Sequence, residues 1–454
     1  MKLHSLFLVG CLGLSITASH AQEYWPRFRG ANAMSVAEED PRLPDRWSTT
    51  ENVQWKVDVP GLGWSCPIIW GNKVFLTSVV SDEADANEQP KPGLYLGQGR
   101  KEIPQGTHHW WTHCFDINTG KELWKHKAYQ GSPKVGRHPK STYASETPCT
   151  DGEYLLVLFG DLGLWCYDMD GKVLWKHTID PKKTMYDYGA AGSPVMHEDQ
   201  VIVVYDNHEA SYIMAIDLKT GKERWRNPRE ERSTWATPYV WQHDLRTEIV
   251  VNGKKRIRSY DLSGKLLWEL GGKMSNLIIP SPFAADGLVY VTSGYFADQV
   301  RPVYAIRPGA KGDISLDVDD EETSNDFVQW YQRKAGPYNT SPIVYRGRYF
   351  TLLDRGMMTC HNAQTGEEIF GRVRFPKGAT FTSSPWAYNG KVFCLSESGI
   401  TYVLDAKRDT FTILNSNDLD AFCMASPAVA QGKLFIRSES SLYCISNEAK
   451  VTKP

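Results

Sequence analysis

"TGKELWKH" occupies residues 119–126, "DGKVLWKH" 170–177, "TGKERWRN" 220–227 and "SGKLLWEL" 263–270. Each copy sets a polar residue and a glycine in a turn, then runs through an alternating stretch to a tryptophan. Asp116, just before the first copy, is a turn-starting acceptor, and Gly120 suits a position that needs φ > 0. The equivalent acids are Asp168, Asp217, Asp261 and Asp405. The equivalent aromatics are Trp124, Trp175, Trp225, Trp268 and Trp330, with Phe370 in one copy. The phrase reads as frame: a tight turn into an outer strand whose tryptophan packs between neighbouring units.

Working outward, a proline, usually after Ser or Thr, starts each unit: Pro67, Pro148, Pro194, Pro238, Pro282, Pro342, Pro385 and Pro427. The spacing is 42–46 residues except for gaps of 81 and 60. A short alternating strand comes first, then a polar turn, a second strand, a third ending near the turn acid, and the Trp strand. Four strands per unit, eight times over, predict an all-β fold, an eight-bladed β-propeller of four-stranded antiparallel blades. The last unit lacks its Trp strand, and "NVQWKVDV" at 52–59 supplies it from the other end of the chain, with Trp55 in the Trp position. The N-terminal strand thus completes the last blade, leaving no free edge. The expected organisation is a signal peptide at 1–21, an N-terminal extension at 22–51, the propeller at 52–447 with insertions at about 79–110 and 308–329, and a tail at 448–454.

Lys2, the apolar run "SLFLVGCLGLSI" and "SHA" before Gln22 read as an export signal. "LVGC" at 8–11 has the shape of a lipoprotein box, so Cys11 could carry a lipid in an alternative anchored form. No other run is long and apolar enough for a transmembrane span. The expected place is the periplasm or cell envelope, as a monomer. Export leaves Cys66, Cys114, Cys149, Cys166, Cys360, Cys394, Cys423 and Cys444 in an oxidising space. Yet Cys114, Cys166, Cys360 and Cys444 fall where other units carry Ala215, Ser259, Ala305 and Val403, a small-residue core position two before the turn acid. They are expected to be thiols packed as small hydrophobes, on different blades. No CxxC occurs, which speaks against structural zinc and c-type haem. With Lys plus Arg at 51 and Asp plus Glu at 53, a net charge of −2 and no basic stripe, nucleic acid is not an expected partner.

The repeat, carried by "SPFAADGLVY" at 281, "SYIMAIDLKTGKERW" at 211 and "SPWAYNGKVF" at 384, resembles the quinoprotein (PQQ-repeat) propeller family. "WPRFRGANAMS" at 25, "STYASETP" at 141, "RSTWATP" at 232 and "GAKGDI" at 309 resemble exported members common in planctomycetes. More distant relatives are BamB-like propellers and the quinone-dependent alcohol dehydrogenases. The resemblance spans about 24–446 and is specific for fold more than for activity.

The segments just before each proline should reach one mouth of the central channel. Together they offer Trp64, Tyr143, Tyr188, Trp235, Tyr338, Phe381 and Phe422 as a partial aromatic collar, with Glu146, Arg232 and Asn339 as polar members. Such a mouth suits a planar ligand bearing carboxylates, with Arg232 to pair one of them; the other reading is mutual packing of the aromatics. The resemblance implies a quinone beside Ca²⁺, held by carboxylate and amide oxygens, and an aspartate base. On that reading Trp64, Tyr143, Tyr188, Arg232, Trp235 and Asn339 would hold the quinone (PQQ). Glu146 and Asn207 would ligate Ca²⁺, and Asp206 or Asp354 would act as base. The chain lacks the adjacent Cys–Cys pair typical of those dehydrogenases, and its insertions are modest. The primary expectation is therefore a non-catalytic binding or scaffold propeller without a cofactor, facing an envelope protein or polymer. The dehydrogenase for an alcohol or sugar is the alternative. His108, His109 and His113 are close enough to raise a metal site, but in an extended strand His108 and His109 point to opposite sides. The acidic stretch "DISLDVDDEETSNDF" lacks the spacing of a calcium loop and reads as a solvated loop.

Overall fold

The computed structural model describes residues 22–83, 90–93, 95, 103–317 and 321–448. Residues 1–21, read above as an export signal and including Cys11, the middle of each insertion and the tail from 449 lie outside the described residues. Among the described residues eight sheets follow one another around the ring, seven antiparallel ones of four strands and one of five whose added strand is parallel. Blade three shows the plan: Val195–His197 innermost, then Gln200–Tyr205, Tyr212–Asp217 and, outermost, Glu223–Pro228. Middle strands are buried on both faces because a neighbouring blade covers each side; Tyr154–Phe159 and Gly163–Asp168 are almost wholly apolar for that reason. Outer strands such as Val173–Thr178 alternate half-buried and exposed residues, the period of two expected of a strand with one covered face. Val53–Asp58 pairs antiparallel with Ser441–Ile445, so both ends of the chain share one blade.

The opening phrase carries both halves of a latch between blades. The Trp55 ring lies where a Cβ on Gly120 would come within 2.7 Å of it, and Trp124 stands in the same relation to Gly171. Trp175 meets Gly221, Trp225 meets Gly264 and Trp330 meets Gly366 in turn. Each indole N–H then donates to a backbone carbonyl of the receiving blade. Trp55 reaches Ile117 (3.0 Å), Trp124 Met169 (3.2 Å), Trp175 Leu218 (2.8 Å), Trp225 Leu262 (3.0 Å) and Trp330 Ala363 (2.8 Å). Gly120, at φ +69°, both makes the turn and leaves the space. The small-residue position is explained by the same geometry: Cys114, Cys166, Ala215, Ala305 and Cys444 stand directly across the ladder from the latch tryptophans. All eight described cysteines are free and buried.

Three junctions depart from the pattern; in that from blade seven to blade eight, Asn415 rather than an aromatic stands across the ladder from Val403. The second insertion leaves blade five and lays Gly312–Asp313 parallel to Trp268–Glu269, making the fifth strand of blade four. With no tight turn to receive it, Trp268 is fully buried and donates instead to Glu248 within its own blade (2.6 Å). Blade six carries Phe370, which packs edge-on against Phe411 of the glycine-free turn region that follows. The strands around the first insertion are longer than predicted, Lys73–Ser81 and His108–Asp116, because they pair residue for residue along nine positions. Within them His109 meets Asp82 (2.8 Å), whereas His113 meets Ser78 (2.9 Å) and Glu122 (3.0 Å), so the three histidines do not converge.

Candidate functional site

Eight innermost strands enter around one axis, and the residue before each blade's proline is Cys66, Thr147, Ser193, Thr237, Ser281, Ser341, Ser384 or Ser426. Their backbone amides and side chains form a ring. The Cys66 amide donates to the Thr147 hydroxyl (3.0 Å), Thr147 to Ser193 (2.9 Å), Ser193 to Thr237 (3.0 Å) and Thr237 to Ser281 (3.0 Å). Ser281 donates to Ser341 (3.0 Å), Ser341 to Ser384 (2.9 Å) and Ser384 to Ser426 (2.9 Å). The Cys66 thiol lies beside Ser426 where the circle closes. Seven hydroxyls thereby tie successive blades together at the point where backbone amides would otherwise lie buried and unpaired.

All eight ring residues line a cavity of about 810 Å³ at the channel mouth. Its wall adds Trp64, Tyr188, Trp235, Tyr295, Phe296 and Tyr338. Trp64 is fixed by its N–H to Lys140 O (2.8 Å), and Trp235 by its N–H to Gly189 O (2.8 Å). His138 stands edge-on to Tyr188 with centroids 4.5 Å apart. Burial, with Lys140 and Arg137 nearby, pushes the His138 imidazole down to about 4, so it is neutral at physiological pH. At the rim the Lys140 ammonium pairs with the buried Glu397 carboxylate (2.6 Å) and donates to Gly93 O (2.7 Å), while the Gly93 amide donates to Glu397 (2.6 Å). This buried pair therefore fastens the described part of the first insertion across the mouth. Among the described residues, no Asp or Glu lines the cavity.

The residues singled out from sequence separate into two sets. Trp64, Tyr188, Trp235, Tyr338 and Asn339 line the cavity together. The others lie elsewhere. Tyr143 is buried against Trp110 and donates to Val135 O (2.9 Å). Phe381 is buried against Phe375. Arg232 is exposed and lines no part of the cavity. Asp206 is locked in a fully buried pair with Arg229 (2.9 Å) and accepts from Thr234 (2.6 Å). Asn207 spends its amide on its own loop, accepting from Glu209 and Ala210 and donating to Tyr205 O and Ala210 O. Glu146 is buried behind the ring, accepting from the Gly160 amide (3.1 Å); burial pushes its carboxyl up to about 8. Asp354 lies behind Tyr338, and burial pushes it up to about 6.

These placements bear on the Ca²⁺–quinone pair that the resemblance implies. A hard divalent cation takes several oxygens, with carboxylates among them. The nearest candidate acids are protonated, ion-paired or turned away from the cavity, and no three of His, Cys, Asp and Glu come together as a metal set among the described residues. The donor set therefore does not fit that cation. Sequence reasoning missed the hydroxyl ring, although the Ser or Thr before seven of the eight prolines was its signal. It also missed Tyr295, Phe296, His138 and Lys140, which sit in loops with no repeat to mark them.

No protein of curated function matches this sequence. Among solved structures, BamB from Moraxella catarrhalis superposes with a TM-score of 0.53 at 13% identity, covering 79% of this chain and 99% of that one. The quinohemoprotein alcohol dehydrogenase ADHIIG from Pseudomonas putida HK5 superposes with a TM-score of 0.56 at 11% identity, covering 95% of this chain and 81% of that one. At such identities the likeness speaks for fold alone. The family described as "Outer membrane protein assembly factor BamB" matches residues 46–234, 108–271 and 209–450. With that match running through all eight blades, the chain belongs to the BamB-type family of quinoprotein-like propellers.

Proposed function

We propose that this protein is a non-catalytic binding propeller of the cell envelope, which holds a ligand or a segment of a partner protein in its aromatic-walled channel mouth. The observation that carries the reading is the cavity of about 810 Å³, whose described lining combines fixed aromatic faces and a hydroxyl ring with no carboxylate. Trp64 and Trp235 are held by hydrogen bonds of their own, so they offer preformed apolar area at little entropic cost. The family's description as an outer membrane assembly factor favours a protein client. Export through the N-terminal signal is part of the proposal, and no helix among the described residues is long and apolar enough to cross a membrane.

A quinone-dependent dehydrogenase is the competing reading, and one titration separates them. Purified mature protein is titrated with pyrroloquinoline quinone, with and without Ca²⁺, and followed by absorbance. The expected result is no saturable Ca²⁺-dependent binding up to high micromolar quinone. Saturable Ca²⁺-dependent binding that is lost in Glu146→Ala or Trp235→Ala would overturn the binding-propeller reading. In parallel, photocrosslinking from the cavity rim in envelope fractions should capture a partner that Trp64→Ala releases.

A further inference from the structure

The stretch "WPRFRGANAMS" plays no part in the cavity wall apart from Phe28, yet it crosses the opposite mouth of the channel. Trp25 exchanges backbone hydrogen bonds with Ile69 of blade one (2.9 Å each way), and Thr150 of blade two donates to Pro26 O (2.9 Å). Phe28 reaches the floor of the large cavity. Arg29 then donates to Pro342 O of blade six, and the Ala37 amide to Ala387 O of blade seven (2.9 Å). The segment is thus a strap from one side of the ring to the other. Its turn is tightly bent, with positive φ at Arg29 (65°), Gly30 (82°), Ala33 (54°) and Ser35 (56°).

That bend carries the Arg29 guanidinium inward without a counter-charge and sets the half-buried Arg27 beside the same small cavity. Arg29 is 2% exposed. Its Nε donates to Ser35 Oγ (3.1 Å), Nη2 to Met34 O (3.4 Å) and Pro342 O, and its Cζ lies 4.9 Å from the Phe283 ring centroid. Its Nη1 is buried with no partner among the described residues. Arg27 donates Nε to Ala31 O (3.0 Å) and Nη2 to the same oxygen. The electrostatic neighbours of the pair are Tyr239, Cys149 and Tyr349, none of them a carboxylate. Burial lowers both arginines, Arg29 to about 9. A buried cation such as Arg29 left without a counter-charge is strongly unfavourable. Beside them lies a second, small cavity of about 10 Å³, bounded by Arg27, Phe28, Arg29 and Tyr239 and by Pro194, Pro238 and Pro282. It has room for one particle close to water in size. A water would give Nη1 an acceptor but would leave the buried Arg29 charge unbalanced.

We propose that this small cavity binds one monovalent inorganic anion of chloride's size between Arg27 and Arg29, and that the anion locks the N-terminal strap across the channel. The site is separate from the large cavity and does not depend on what that cavity binds. Crystals of the mature protein soaked in sodium bromide should show an anomalous peak between the two guanidinium groups. In solution, thermal unfolding is compared in sodium chloride and in sodium isethionate, whose anion is too large for the cavity, at equal ionic strength. Chloride should raise Tm saturably, by about 2 °C at roughly tenfold excess over its dissociation constant. Arg29→Met should abolish the difference between the two salts. Should that variant fail to fold, Arg27→Gln, which keeps the buried Arg29, should reduce the difference. No bromide peak together with identical Tm values in the two salts would overturn the proposal, as would a halide dependence that survives both substitutions.

Discussion

Replacing Gly221 by alanine tests the latch that joins blades two and three. Gly221 has φ +70°, and a Cβ there would stand 2.6 Å from two carbons of the Trp175 ring. The ring has little room to withdraw. Its N–H is bonded to Leu218 O at 2.8 Å, and its body packs against the cluster that includes Leu156, Cys166 and Val201. Forcing a side chain into the left-handed region costs about 1–2 kcal/mol. Overpacking a fixed aromatic adds about 1–3 kcal/mol. Gly221→Ala should therefore lower unfolding stability by about 2–5 kcal/mol. With Trp175→Ala already in place only the backbone cost survives, about 1–2 kcal/mol. A double-mutant cycle should then show a coupling of about 1–3 kcal/mol. The assay is urea denaturation followed by circular dichroism, with the m-value checked for constancy across the four proteins. An equal cost of Gly221→Ala in both backgrounds would refute the idea that the glycine exists to receive the ring.

Two further perturbations address the channel. Ser281→Ala removes the acceptor of the Thr237 amide and should cost about 1–3 kcal/mol; Ser281→Thr, the residue type at ring positions 147 and 237, should retain most of that stability in the same urea assay. Glu146 has a folded pKa of about 8, above the 4.5 of an ordinary glutamate, so the folded state binds its proton more tightly. Its contribution is then fully present below about pH 4.5 and is lost as pH rises toward 8, with a slope of up to about 1.4 kcal/mol per pH unit. Glu146→Gln should flatten that decline and gain most near pH 8, and a constant offset from wild type between pH 5 and 8 would contradict it.

What could be read in the sequence was whatever repeats. The turn acid, the glycine and the tryptophan recur because every blade solves the same local problem, and a period of two inside a period of about 43 implies strands before it implies partners. The small residue across from each tryptophan was legible in the same way, although its cause, the space the ring needs, became clear only from the ladder register of pairs such as Cys166 with Trp175. The site residues followed a different rule. Trp64, Trp235 and Asn339 sit at the start of a repeat, and repetition places them at the mouth. Asp206, Glu146 and Arg232 are equally close to repeat starts, but their fates depended on partners the pattern does not encode. Arg229 captured Asp206, burial neutralised Glu146, and Arg232 turned to solvent. The path of "WPRFRGANAMS" was likewise invisible, since nothing in a non-repeating segment says which blades it will touch.

The sequence by itself therefore determined the blade, its count and five of its latches, because these rest on contacts within one unit or between one unit and a neighbour of the same pattern. Only the tertiary structure decided that none of the candidate acids lines the cavity, that the pre-proline side chains form a ring, and that Arg29 lies buried at the opposite mouth. Those outcomes depend on groups hundreds of residues apart, as in Arg29 with Pro342, brought together when the ring forms.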